Sequence, residues 1–240
     1  MPSRLPQRQR PARSPSVSTV LAFDCAVSGQ GVAVVRDGVC LVSLFEEGRE
    51  QAARLLPAIA AALEQAGVAR TGLDLIAVTT GPGSFTGVRV GLSAARGLAV
   101  GLGIPLAGIP TTAVLRAQAP STERLVIAAV DTKLGDWFAA VGDDPAPFAA
   151  TAADLAVRLA GHECLIVGKD VAALAASLAA AGIDAVVQDG QPDPAVLGRL
   201  ALVDGVETWR GRNLADGLPR PLYLRGVNIT LPDGARRTVE

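Results

Sequence analysis

Two carboxylates, Asp24 and Asp131, each close an apolar run, TVLAFD at 19–24 and RLVIAAVD at 124–131. Two acids at strand ends are suited to assist a magnesium ion through oxygen ligands. An acid in that position also forms turns by accepting from the next backbone N–H groups, and the residues alone leave both readings open. Between them lies TTGPGSFTG at 79–87. Gly81 and Gly83 flank Pro82 in a tight strand-to-helix turn, with Ser84 or Thr86 placed to cap the helix behind it. Such a helix start can hold an anion. Yet the spacing Gly81, Gly83, Gly87 is one residue too long for the dinucleotide fingerprint, and no Lys-Ser or Lys-Thr pair follows as a phosphate loop requires. The candidate anion or nucleotide contacts are therefore Asp24, Gly81, Gly83, Ser84 and Asp131, set against a purely structural turn.

Other reactive side chains are sparse. Cys25, Cys40 and Cys164 are an odd number without CxxC spacing, which suits small core residues in a reducing compartment better than disulfides or a zinc site. The single histidine, His162, stands in a GHE segment and reads as a surface or cap residue, since one His supplies no two-His metal site. Ser84, Thr86, Ser93 and the cysteines have no base nearby in sequence, so no nucleophile or acid/base pair stands out. No catalytic residue and no metal ligand is assigned.

The elements that would hold these residues read as alternating α and β. TVLAFD and GVAVVRDGVCLVSL give a meander of three strands, with Asp37-Gly38 as its second turn. Between Gly48 and Gly67 the residues Leu55, Leu56, Ile59, Ala60 and Leu63 recur at helical spacing. A buried strand is predicted at 73–78, then the glycine loop, then a helix over 84–102 stopped by Gly103 and Pro105. From residue 124 the order strand, acid, Gly-containing turn, strand returns about one hundred residues later, followed by helix, strand, helix, strand and helix-like patterns, so the chain reads as internally duplicated. The predicted division is a disordered, basic, Pro-rich tail at 1–17, an N-terminal α/β lobe at 18–110, a C-terminal α/β lobe at 111–226 and a tail at 227–240.

A formal net charge of −1 and a pI near 5.9 argue against a protein that grips phosphate backbones alone, and 3% aromatic residues leave few platforms for stacking bases. Half the residues are hydrophobic, enough to bury a core, yet no apolar run approaches the roughly 18 residues of a membrane span. No apolar region follows Arg4, Arg8, Arg10 and Arg13 within the tail, so no secretory leader is expected.

On the 84–102 helix, Gly87, Gly91 and Ala95 fall four apart in one stripe, with Ala94 and Leu98 alongside. An interior helical glycine costs about 1 kcal/mol relative to alanine, so the three in this helix, Gly87, Gly91 and Gly97, imply a compensating close contact. The contact is either this chain's own helix at 48–66, or another chain docking on both helices through Leu55, Leu56, Ile59, Leu63, Gly87, Val88, Gly91 and Ala95.

LAFDCA at 21–26, RLLPAIAAAL at 54–63, TTGPGSFTGVRVGLSAARGLA at 79–99, IPLAGIPTT at 104–112 and AAVDTKLGDWFAA at 128–140 together resemble the TsaB (YeaZ) family in that family's order. The resemblance covers about residues 18–145 and continues loosely to PLYLRG at 221–226. It implies the two-lobed fold of the actin, sugar kinase and Hsp70 superfamily, with its ribonuclease H-like motif. It also implies a non-catalytic partner that binds TsaD, the enzyme that transfers threonylcarbamoyl to N6 of the adenosine beside the anticodon in tRNAs reading ANN codons. TsaE and a homodimer are the other implied partners. tRNA is reached only through the complex, the location is cytoplasmic, and the chain has no cofactor of its own, ATP and magnesium acting at the level of the complex. Many relatives have a histidine before the RLLP stretch, where this chain has Glu50, Gln51 and Ala52. An ATP- and magnesium-dependent phosphotransferase or metallohydrolase of the same superfamily is the alternative.

Overall fold

The computed structural model describes residues 17–48, 50–144, 146–225, 227–230 and 236–239. The predicted basic tail therefore lies, but for Val17, outside the described residues. Strand β1 (Thr19–Asp24) is buried throughout and runs antiparallel to β2 (Gln30–Arg36), which pairs antiparallel with β3 (Val39–Glu46). Asp37 and Gly38, at φ 49 and 80, form the tight turn expected of that dipeptide. Helix α1 (Gln51–Gln65) leads to β4 (Leu75–Thr79), helix α2 (Phe85–Leu102) to β5 (Leu106–Ile109). Ser84 is the α2 cap, its hydroxyl accepting from Gly87 N, and Gly103 ends the helix in the left-handed region. β1, β4 and β5 are parallel neighbours, so the first sheet has the order β3-β2-β1-β4-β5.

Helix α3 (Thr111–Ala117) carries the chain to a second sheet: β6 (Leu125–Asp131), β7 (Trp137–Val141), β8 (Phe148–Ala150), α4 (Ala152–Arg158), β9 (Cys164–Gly168), α5 (Ala172–Ala180) and β10 (Ala185–Asp189). Read as β8-β7-β6-β9-β10, this sheet has the order of the first, with antiparallel pairs on one side of the central strand and parallel pairs on the other. The duplication is thus present in the topology, and Asp24 and Asp131 end the two equivalent central strands.

Helices α6 (Pro194–Asp204) and α7 (Val206–Asp216), which the predicted division assigns to the second lobe, return to the first sheet. The reason is steric. Parallel strands buried on both faces need two covers; α1 and α2 cover one face around Leu21, Phe23 and Ile76, and α6 fills the other around Val20, Ala22 and Ala33. Gly198 lets α6 descend onto Val35 and Ala22, since a Cβ there would lie 2.8 Å from Val35 Cγ2. Trp209 of α7 donates from Nε1 to Ala201 O at 2.9 Å, and Asn213 closes the edge of β5 by bonding both the N–H and the carbonyl of Leu106. Between the sheets, α3 places Val114 in the first-lobe core and Leu115 in the second. The last strands, β11 (Val227–Thr230) and β12 (Arg236–Val239), pair antiparallel as a hairpin where a tail is predicted. No helix among the described residues is long and apolar enough to cross a membrane.

Candidate functional site

At the end of β1 the Asp24 carboxyl is 3% exposed and already engaged: Oδ1 accepts from Thr79 Oγ1 at 2.5 Å and from Ala26 N at 3.1 Å. Burial raises its pKa to about 6, against the lowering effect of those two bonds. Burial, with the neighbouring Asp24 charge, also pushes the Cys25 thiol far above its usual range, which makes it a poor nucleophile. Asp131 is different. It is half-buried and accepts from Lys133 N at 2.6 Å and Lys133 Nζ at 2.8 Å; partial burial pushes its pKa up, but the Lys133 bonds and charge outweigh that and hold it low. The two acids have no hydrogen-bond partner in common, and no group of three or more His, Cys, Asp or Glu among the described residues is arranged for a metal ion. The magnesium site that the superfamily implies does not fit these side chains as they stand.

The glycine loop presses onto the backbone after Asp24. Ser84 N donates to Ala26 O at 2.6 Å; a Cβ on Gly83 would lie 2.1 Å from Ala26 O and one on Gly87 1.9 Å from Cys25 O. The glycines thus permit backbone-on-backbone contact, and Ser84 spends its hydroxyl on the cap. The segment 218–225 covers the same loop. Leu222 N donates to Thr80 O at 2.8 Å, and a Cβ on Gly81 would meet Leu222 O at 3.3 Å. The Arg89 guanidinium stands 3.6 Å over the Phe85 ring and donates to Tyr223 Oη at 2.8 Å. Of the five anion candidates, then, Asp24, Gly81, Gly83 and Ser84 are gathered at one spot filled by the chain's own groups, and Asp131 belongs to the other lobe.

Helices α1 and α2 lie side by side on one face of the first sheet. Of the eight side chains expected to dock a partner, Leu55, Ile59, Leu63, Gly87, Val88, Gly91 and Ala95 are buried in this chain's own core, and only Leu56 is exposed, at 56%. These seven side chains therefore lie in the core that α1, α2 and the sheet share, with a Cβ on Gly91 lying 3.4 Å from Val78 Cγ2 and 3.7 Å from Cys25 Cβ. The outward side carries a second set of small and apolar residues, Leu56, Pro57 and Ala60 on α1 with Gly97, Val100 and Gly101 on α2. Val100 is 73% exposed, and nothing lies within 4 Å of a Cβ added at Gly97 or Gly101. The sequence signal was there, because Ser93, Gly97 and Gly101 are also four apart; spacing alone does not say which stripe turns inward. His162 is exposed in the turn before β9.

Two α/β lobes of one strand order, joined so that their equivalent central strands end in acids, define a two-lobed chain of the actin, sugar kinase and Hsp70 fold class. A family model described as TsaD, tRNA N6-adenosine threonylcarbamoyltransferase, matches residues 46–158. The tRNA threonylcarbamoyladenosine biosynthesis protein TsaB of Escherichia coli is 35% identical over 121 residues, 50% of this chain and 52% of that protein. Its Bacillus subtilis counterpart is 29% identical over 121 residues, 50% of this chain and 53% of that protein. The chain thus spans about half the length of these curated relatives. A Pseudomonas aeruginosa structure described as similar to peptidase YEAZ superposes with a TM-score of 0.67 at 26% identity, over 87% of this chain and all of that one. YeaZ of the same organism, at 24% identity and TM-score 0.65, shares the fold over 86% of this chain and all of that one. Over about half its length in sequence, and over most of it in fold, the chain is similar to proteins of the TsaB/YeaZ family.

Proposed function

We propose that this chain is a non-catalytic accessory subunit in tRNA threonylcarbamoyladenosine biosynthesis, which binds a TsaD-type transferase and keeps it active. The relatives named TsaB support the pathway. One observation carries the docking role: the exposed small and apolar residues Leu56, Pro57, Ala60, Gly97, Val100 and Gly101 on the outward sides of α1 and α2, where open glycines allow a second helix to come close. The absence of chemistry in the proposal rests on the engaged Asp24, the high-pKa Cys25 and the filled glycine loop. The same face serves a second copy of the chain when the transferase is lacking. TsaE-type ATPase, ATP with magnesium, and tRNA join at the level of the cytoplasmic complex.

The test is calorimetric binding of the purified transferase to the wild type and to Leu56→Glu and Gly97→Glu, with circular dichroism as the fold control. Both positions are open, so the variants fold, and a charge buried at the interface weakens binding by about tenfold or more. Undiminished binding by both folded variants removes the proposed face. Magnesium-dependent turnover of ATP by the isolated chain, abolished by Asp24→Ala, replaces the accessory role with the phosphotransferase alternative.

A further inference from the structure

Apart from the outward helical face and the two strand-end acids, a cavity of about 240 Å³ lies between the end of β3 and the start of α1. Its wall is acidic. Glu46, Glu47 and Glu50 line it beside Arg54, which is ion-paired to Glu46. Gln30 lines it too, at 3% exposure; its Nε2 donates to Glu46 Oε2 at 3.2 Å, while its Oε1 is buried with no hydrogen-bond partner. A desolvated carbonyl oxygen without a donor lowers stability, and a donor entering from the cavity recovers the loss.

The walls are held by the backbone. Gln51 Nε2 donates to Gly29 O at 3.4 Å and to Gly48 O at 3.2 Å, which ties the start of α1 to both neighbouring turns. Gly29, at φ +69, lets its turn lie against β3, since a Cβ there would stand 2.0 Å from Glu46 O. Acceptors therefore outnumber donors around a preformed space. The acids are not arranged for a metal ion, because no group of three or more His, Cys, Asp or Glu among the described residues could hold one. The complementary ligand is an organic cation with several N–H donors.

We propose that this cavity binds a guanidinium group. A guanidinium is planar and always charged, and it offers five N–H donors in a rigid fork, so it can serve a carboxylate and the Gln30 oxygen together. An arginine of another polypeptide and a free guanidino compound present the same chemistry.

The experiment is a nitrogen-15 NMR titration of the full chain with agmatine and, separately, with Nα-acetyl-arginine amide, against potassium chloride at matched ionic strength. Saturable shifts are expected at the Gly29, Gly48 and Gln51 amides and the Gln30 side-chain amide. In Glu47→Gln/Glu50→Gln the apparent affinity should fall about tenfold, as charge-assisted hydrogen bonds are lost. Both acids are exposed, so the variant keeps its fold, which circular dichroism verifies. Arg49 lies outside the described residues, and the titration is repeated in Arg49→Ala to remove competition from that side chain; saturation in either background supports the assignment. Tighter binding of agmatine points to a free ligand, and of the arginine amide to a polypeptide arginine. Shifts that do not saturate in either background, that potassium chloride reproduces, or that the double variant leaves unchanged overturn the proposal.

Discussion

The two lobes share one strand order and differ in what the central strand delivers. In the first, β1 ends in a buried acid held by Thr79 and Ala26, and its sheet is covered on both faces by α1 and α2 on one side and α6 and α7 on the other. In the second, β6 ends in Asp131, open enough to pair with exposed Lys133, and β10 leaves Val186 and Val187 42% and 40% exposed. The difference teaches that duplication supplied a scaffold twice, while the chain's C-terminal helices were spent on only one copy. That copy is the one whose helices present the outward apolar face.

The largest expected effect tests what the lobes have in common. Gly87 of α2 and Gly168 at the end of β9 each lie against the carbonyl of a residue in or next to the central strand: an added Cβ would lie 1.9 Å from Cys25 O and 2.1 Å from Ala129 O. Because backbone cannot yield as a side-chain tip does, Gly87→Ala and Gly168→Ala should each cost about 3 kcal/mol or more, at the upper end of overpacking. Gly91→Ala, whose Cβ meets Val78 at 3.4 Å, should be nearly neutral. Urea unfolding compares all three. A large loss at Gly87 with none at Gly168 would show that close backbone contact beside the central strand matters in the first lobe alone.

A smaller effect sharpens the difference between them. The folded chain holds a proton on Asp24 up to about pH 6, whereas the unfolded chain releases it near pH 4. Ionised Asp24 therefore costs on the order of 2–3 kcal/mol above pH 6, and that stability returns as pH falls from 6 towards 4. Asp24→Asn keeps an oxygen for Thr79 and Ala26, so its unfolding free energy should vary less between pH 5 and pH 8 and match or exceed wild type at pH 8. Asp131 behaves oppositely: its pKa is held low, so the stability it contributes is lost only below that range, and Asp131→Asn should leave the pH 5–8 slope unchanged. Equal slopes in wild type and Asp24→Asn would refute the assignment.

Legibility followed the range of the forces involved. The Asp37-Gly38 turn, the Ser84 cap and the Gly103 stop are decided within a few residues, and all three read directly from the sequence. So did the repeated run-to-acid pattern at Asp24 and Asp131. Helix α7 did not, because VETWRGRNLAD lacks an apolar stripe and is held from outside itself, by Trp209 on Ala201 O of α6 and by Asn213 on the distant Leu106. The return of α6 to the first sheet was hidden for the same reason: Gly198 gives no sign in sequence that Val35 waits 163 positions earlier. The cavity beside Gln30 escaped because its walls come from three separate turns and strands.

The orientation of α2 is the subtlest case, and the smallest predicted effect addresses it. Gly87, Gly91 and Ala95 form one small-residue row, buried, and Ser93, Gly97 and Gly101 another, exposed. Only the inward row is explained by contacts within the chain. Since nothing lies within 4 Å of a Cβ at Gly97, Gly97→Ala should stabilise the isolated chain by about 1 kcal/mol through helix propensity alone. If Gly97 is there to admit a neighbouring helix, the same methyl group should weaken transferase binding while raising the melting temperature. Those opposite signs in one variant separate a residue kept for docking from one kept for folding; a gain in stability with unchanged affinity would assign the outward row no role in contact.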